Sequence, residues 1–393
     1  MAHSTASSPF SRAVVNSMRK LYPESLADKS FDNTGLLLEA PFDPIRRQMN
    51  SALLTIDLTK AVADEAIGRN DSIIIAYHPI IFRGLKSITL GDSQQKTLLR
   101  LAAEGISVYS PHTAVDCAPG GLGDWLADIV SGTPTSVSEI GSEAVSADAK
   151  STSSKEKPST PPAADEDDPF LDDKPKRPTY MLQHHPSQLS VNDRERALQL
   201  SAARHTRKPI VPTSVSDYEN SGAGMGRIVR FSSPQTLVSI IDRIGLGLGN
   251  PKGFPIAIPQ GKSIEEMRIS SVAICAGSGG SLFSGLGKNG QDDVDLLFTG
   301  ELGHHEALAA IEQGKCVITL FHSNTERGFL SSVLKPQLEK SVKEEWDKLR
   351  QEEKEDGSDG EDFEEMLGDE SVEIHVSEVD RDPYGIVINK EDL

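Results

Sequence analysis

Apolar residues along this chain form short runs of two kinds, and the kinds alternate. Phe10, Val14, Val15, Met18 and Leu21 recur at helical spacing and predict an opening helix. Ala52-Leu53-Leu54-Thr55-Ile56-Asp57 then reads as a buried strand, followed by a helix over 59–67 and a strand over 72–76. A helix over 96–104, stopped by Gly105, leads to a third strand at 106–110. The second half repeats this order. Val272-Ala273-Ile274-Cys275 is a strand closed by the turn Gly277-Ser278-Gly279-Gly280, and Asp295-Leu296-Leu297-Phe298 is the next. A helix over 306–312, stopped by Gly314, precedes a strand over 316–320, and Val372-Glu373-Ile374-His375-Val376 alternates like a last strand. The fold class predicted is α/β: two similar βαβ-type lobes, each with a mostly parallel sheet, and a cleft between them.

The pattern fails in two places. From Ser131 to about Pro178 the chain runs to Ser, Thr, Pro, Ala, Lys and Asp, which cannot bury enough apolar surface to offset ordering entropy. Residues 179–220 are polar and ambiguous, so the predicted division is an N-terminal lobe over 1–130, a low-complexity insertion over 131–221 and a C-terminal lobe over 222–393. The second break is the acidic tract 344–370, with 14 acids against 3 bases. It reads as a solvated, partly disordered loop.

Composition narrows the function classes. The net charge of −19 argues against direct nucleic-acid binding, which needs an uncompensated basic surface. No apolar run reaches the ~18–20 residues of a membrane span. Cys117, Cys275 and Cys316 are odd in number and outside any CxxC, which fits a reducing compartment rather than a disulfide scaffold. The first residues lack acids and carry Ser and Arg, faintly like an organelle-targeting segment, though an opening helix is the simpler reading. The compartment expected is the cytoplasm, with mitochondrion and nucleus as alternatives.

Polar residues in open α/β sheets gather beyond the carboxyl ends of strands. Here each half places histidine after its middle strand and a His-x3-acid pair after its last: His78 with His112/Asp116, and His304-His305 with His322/Glu326. A lone histidine past a strand most often caps a helix or satisfies a carbonyl. The duplicated placement favours metal, because a mixed nitrogen and oxygen set is what first-row divalent ions require. His78 with the two pairs offers three imidazoles and two carboxylates, enough for two ions. The turn at 277–280 is either a phosphate cradle or a tight turn beneath a substrate. His304 and His305 are either groups that support the ligands from behind or act as acid and base, or helix N-terminal caps, and Asp32-Asn33-Thr34-Gly35 is a turn first and a substrate contact second.

Several of these stretches, in this order, resemble the Ngg-interacting factor three-like family, whose bacterial members are often labelled GTP cyclohydrolase 1 type 2. They are Asp32-Asn33-Thr34-Gly35-Leu36, Tyr77-His78-Pro79-Ile80-Ile81-Phe82, His112-Thr113-Ala114-Val115-Asp116, Gly224-Met225-Gly226-Arg227, Gly277-Ser278-Gly279-Gly280, Thr299-Gly300-Glu301 and His322-Ser323-Asn324-Thr325-Glu326-Arg327. The resemblance implies a two-lobed α/β fold, a dinuclear metal site and a homo-oligomer, commonly a ring of six. Carried over by motif, the metal ligands are His78, Asp116, His322 and Glu326, holding one or two divalent ions (Zn, Fe, Mn or Ni). Many bacterial members have two adjacent histidines where this chain has Tyr77-His78, and one imidazole fewer weakens one of the two ion sites. The function implied is a metal-dependent hydrolase on a small nucleotide-like substrate, with His304 or His305 moving the proton. The alternative is a non-enzymatic scaffold, stabilised by metal, that binds a protein partner such as a transcriptional regulator. A third reading is metal buffering or transfer.

Overall fold

The computed structural model describes residues 8–43, 47–132, 203–287, 292–355 and 361–387. Helix α1 (Pro9–Leu21) opens it, capped by the Ser8 hydroxyl, which accepts from the Ser11 amide. Phe10, Val14 and Met18 are buried, so the helical spacing of the sequence is a packed face. Next come β1 (Gly35–Leu38), β2 (Met49–Thr55), α2 (Lys60–Arg69), β3 (Asp71–Ala76), α3 (Ser93–Ala103), β4 (Ser107–Ser110), α4 (Thr113–Cys117) and α5 (Leu122–Ser131). The later part holds β5 (His205–Lys208), β6 (Val211–Pro212), β7 (Gly224–Met225), β8 (Arg227–Thr236), α6 (Leu237–Gly247), β9 (Ile256–Ala257), β10 (Arg268–Ser278) and α7 (Gly280–Phe283). It ends with β11 (Leu296–Glu301), α8 (His304–Glu312), β12 (Cys316–Thr319), α9 (Lys335–Glu355), α10 (Glu361–Gly368) and β13 (Glu373–Val376).

Two main sheets result, with strand orders β1-β4-β3-β2-β13 and β5-β8-β10-β11-β12-β9. Their centres are parallel, as the βαβ pattern predicts. Antiparallel edges are added by β1 in the first sheet, and by β5, β8 and β9 in the second. Alternation along each central strand serves two cores. Leu53, Ile74 and Val108 face α2 and α3, while Leu54, Ile73 and Ile75 join a cluster with α1. In the second sheet Ala273, Leu297 and Val317 pack beside Phe283 and Ala310, while Ile274, Phe298 and Ile318 enter that same large cluster. The largest core therefore takes side chains from both sheets.

Three sequence expectations need correction. The acidic tract is not a loop where it is described: α9 and α10 run through it. Leu338, Val342, Trp346 and Leu349 form a buried stripe at helical spacing, and Trp346 meets Phe10 edge-on at 5.6 Å. Charge on the outer face hid that stripe. Second, β13 does not stay with the C-terminal unit expected over 222–393; it pairs in parallel with β2 in the first sheet. Third, regular structure resumes before residue 224, because β5 pairs with β8. The rest of the insertion expected over 131–221 lies mainly outside the described residues. Among the described residues, no helix is long and apolar enough to cross a membrane, and Cys117, Cys275 and Cys316 are free thiols.

Candidate metal centre

The centre assembles where strands stop. Tyr77 and His78 prolong β3 by one more rung, their amides donating to the Thr55 and Ile56 carbonyls at 2.9 and 3.0 Å. His112 follows β4 with φ +31° and ψ −118°, and Phe321 follows β12 with φ +64°. Both are costly conformations for residues with a Cβ, and both turn the chain sharply at the end of a strand. Glu326 lies one short 3-10 turn beyond His322 and is 2% exposed.

Each of the three histidines is held from behind by a carboxylate. His78 Nδ1 lies 2.9 Å from Asp57, His112 Nδ1 2.7 Å from Asp32, and His322 Nδ1 3.1 Å from Glu301. A proton on Nδ1 shared with a carboxylate leaves Nε2 as the lone-pair face, the arrangement that orients histidines at metal sites. The Nε2 atoms of His78 and His322 lie 3.5 and 3.6 Å from the two Glu326 oxygens. Donor atoms of His78, His322 and Glu326 all fall within 4.8 Å of one another. Glu326 Oε2 has no hydrogen-bond partner although it is buried. A buried carboxylate with one oxygen facing each of two imidazole nitrogens fits a divalent cation. Burial alone lowers the basicity of His78, but Glu326 and Asp57 outweigh it and raise its pKa to about 10.

Asp116, expected as a fourth ligand, is adjacent but outside that trio. Its Oδ1 accepts the Tyr77 hydroxyl at 2.7 Å, and burial pushes its pKa up to about 6. The His112 ring sits 5.5 Å from that of His78, bringing the second His-x3-acid pair alongside the first. His304 and His305 are exposed in the first turn of α8, their rings 5.2 Å apart. The glycine turn after β10 is explained by the centre itself. Gly277 has φ +60°, and a Cβ there would stand 2.8 Å from both Glu326 Oε1 and His322 Nε2. Gly277→Ala is therefore expected to weaken metal binding and to cost at least about 1 kcal/mol from the positive φ alone. Equilibrium dialysis against zinc, with a denaturation curve on the same protein, checks both.

Residues 11–353 match the family model Duf34/NIF3 (NGG1p interacting factor 3). The chain belongs to this family. A Schizosaccharomyces pombe relative named Protein NIF3 homolog is 38% identical over 329 residues, covering 84% of this chain and 88% of the relative. The Saccharomyces cerevisiae protein NGG1-interacting factor 3 is 33% identical, over 82% and 88% of the two chains. A Bacillus cereus protein related to NIF3 shares the fold at 18% identity and a TM-score of 0.55, over 96% of this chain and 98% of that one. HcgD from Methanocaldococcus jannaschii shares it at 16% identity and a TM-score of 0.52, over 93% and 96%.

In this NIF3-family chain, sequence reasoning missed the residues behind the ligands. Asp57 and Glu301 carry no site role in the sequence, and Asp32 reads there as a turn first and a substrate contact second. The signal was present, since Asp57 lies two residues past the end of β2 and Glu301 ends β11. Asp32 does form a turn-like cap: its Oδ2 accepts the Thr113 amide at 3.2 Å while Oδ1 holds His112.

Proposed function

We propose that this chain is a metal-dependent hydrolase acting on a small, nucleotide-like substrate. The observation that carries this reading is the buried Glu326 carboxylate between the Nε2 atoms of His78 and His322, with its Oε2 left without a hydrogen-bond partner. These three would hold one divalent ion (Zn, Fe, Mn or Ni), with Asp116 and His112 as the donors nearest for a second. Such an ion supplies Lewis acidity, polarising a substrate oxygen and lowering the pKa of water. Asp57, Asp32 and Glu301 keep the imidazoles in the ligating tautomer. Tyr77, donating to Asp116, stands where many bacterial relatives place a second histidine, and so favours unequal occupancy of the two positions. His304 or His305 carries the proton. The family label makes GTP the first substrate to try.

Two experiments test this. A nucleotide panel offered to zinc- or manganese-loaded protein should show turnover that His322→Ala and Glu326→Ala abolish while the fold persists. The double variant His304→Ala/His305→Ala should keep its metal yet lose about 10²–10⁴-fold in turnover; full activity would remove both histidines from the mechanism. The resemblance also supports a homo-oligomer, a ring of six, which native mass measurement decides.

A second reading, an interaction scaffold, is favoured by the name of the Saccharomyces cerevisiae relative, NGG1-interacting factor 3, and by acids such as Glu344 and Glu352 exposed along α9. It gives the opposite pattern: Glu344→Lys/Glu352→Lys would abolish capture of a basic partner, and the ligand variants would not.

A further inference from the structure

Arg327 is 1% exposed, and its guanidinium reaches three groups from different parts of the chain, Asp57, Ser323 and Asp380. One NH2 hydrogen bond, at 3.3 Å, runs to Asp57 Oδ2, the other oxygen of the carboxylate that holds His78. Nε and NH2 both donate to the Ser323 hydroxyl, at 3.1 and 3.0 Å, next to His322 in the chain. NH1 pairs with Asp380, which in turn accepts the Ile56 amide at 2.7 Å. Asp382, two residues on, accepts the Ser323 amide and hydroxyl at 3.1 and 2.6 Å. Ser377 anchors the same segment, its amide donating to Leu54 at 2.8 Å. Ser323, Asp380 and Asp382 are all buried.

Resting on the metal reading, we propose that Arg327 is a positioning residue that locks His78 and His322 into one metal site, with the segment 377–384 as its clamp. His78 comes from the first sheet and His322 from the second, so their relative placement is set by what joins them behind the ligands. Arg327 is that joint. Its planar fork can serve Asp57, Ser323 and Asp380 at once, whereas a lysine ammonium is a single point charge that cannot span all three. Asp380 adds a second grip on the same loop through the amide of Ile56, adjacent to Asp57. Ion binding should therefore tighten the clamp, and loosening the clamp should weaken ion binding.

The test uses the full chain and zinc as probe, with affinity read by competition against a chelating dye. Arg327→Lys is expected to bind zinc at least tenfold more weakly, within the range that losing an outer partner of a ligand costs. Asp380→Asn should weaken it in the same direction and by less. Arg350→Lys is the control, because Arg350 is also a buried, ion-paired arginine but serves Asp347 and Glu370 on α9 and beyond α10. It should leave zinc affinity unchanged. Hydrogen exchange supplies a readout that mere loss of stability would not move: zinc should slow the 377–384 amides in the wild type and fail to do so in Arg327→Lys. Should Arg327→Lys not fold, Asp380→Asn and Ser323→Ala carry the test alone. Zinc affinity within twofold of wild type in the folded variants overturns the proposal, as does an equal loss in Arg350→Lys. If the wild type itself takes up no zinc, it is the metal reading that fails.

Discussion

Glutamine in place of Glu326 is expected to lower zinc affinity by more than about 100-fold while leaving the protein folded, because a direct ligand should matter more than the outer partners whose loss costs about 10–100-fold. The side chain is 2% exposed, so the substitution removes a buried negative charge and keeps the shape that surrounds it. Nε2 of His78 and Nε2 of His322 face its two oxygens at 3.5 and 3.6 Å. Without metal, Glu326 helps to hold His78 in its protonated form, with a pKa raised to about 10, and Asp57 continues to do so in the variant. The fold therefore keeps one compensated charge pair at this position and loses only the anion that a cation needs. Circular dichroism and zinc dialysis on the same sample check both halves. Wild-type affinity in Glu326→Gln would mean that the carboxylate is not a ligand.

A second large effect concerns stability. Asp124→Ala is expected to cost about 3–5 kcal/mol, because it strands a buried guanidinium. Arg227 is 1% exposed and meets Asp124 through two parallel bonds, Nε to Oδ1 at 2.7 Å and NH2 to Oδ2 at 2.9 Å. Its NH1 donates to the Gly224 and Gly226 carbonyls, and NH2 reaches Ala118 at 3.3 Å. This pair ties β8 of the second sheet to the start of α5, which follows the His112–Cys117 segment. Asp124→Leu with Arg227→Met should recover most of the loss, since a buried pair replaced by apolar groups is often neutral. Chemical denaturation of the single and double variants measures it. A single-variant cost below about 1 kcal/mol, the range of exposed pairs, would show that the pair is not what joins these segments.

The strands around the centre were legible because residues such as Ile73, Ile74 and Ile75 are buried on both faces and leave an unbroken apolar run. The histidines were legible because turns at strand ends repeat in the two halves. Other features left weaker traces. A carboxylate behind a histidine, such as Asp57 or Glu301, looks in sequence like any acid after a strand. The stripe at Leu338, Val342 and Trp346 was periodic, but the density of charge around it outweighed the period. Nothing local marks that β13 returns to β2 across more than three hundred residues, because parallel pairing is decided by which face the connecting helices bury. Phe321 could not be foreseen as strained, since phenylalanine does not favour positive φ, and histidine adopts it more often than most residues without any local mark that His112 would do so.

The most direct measurement is anomalous scattering from crystals of the zinc-loaded protein, collected on both sides of the zinc edge. The expected result is a peak at about 2.0–2.2 Å from Nε2 of His78, Nε2 of His322 and a Glu326 oxygen, absent in Glu326→Gln. Zinc found only at other places on the molecule, with these three side chains still turned toward one another, would contradict it.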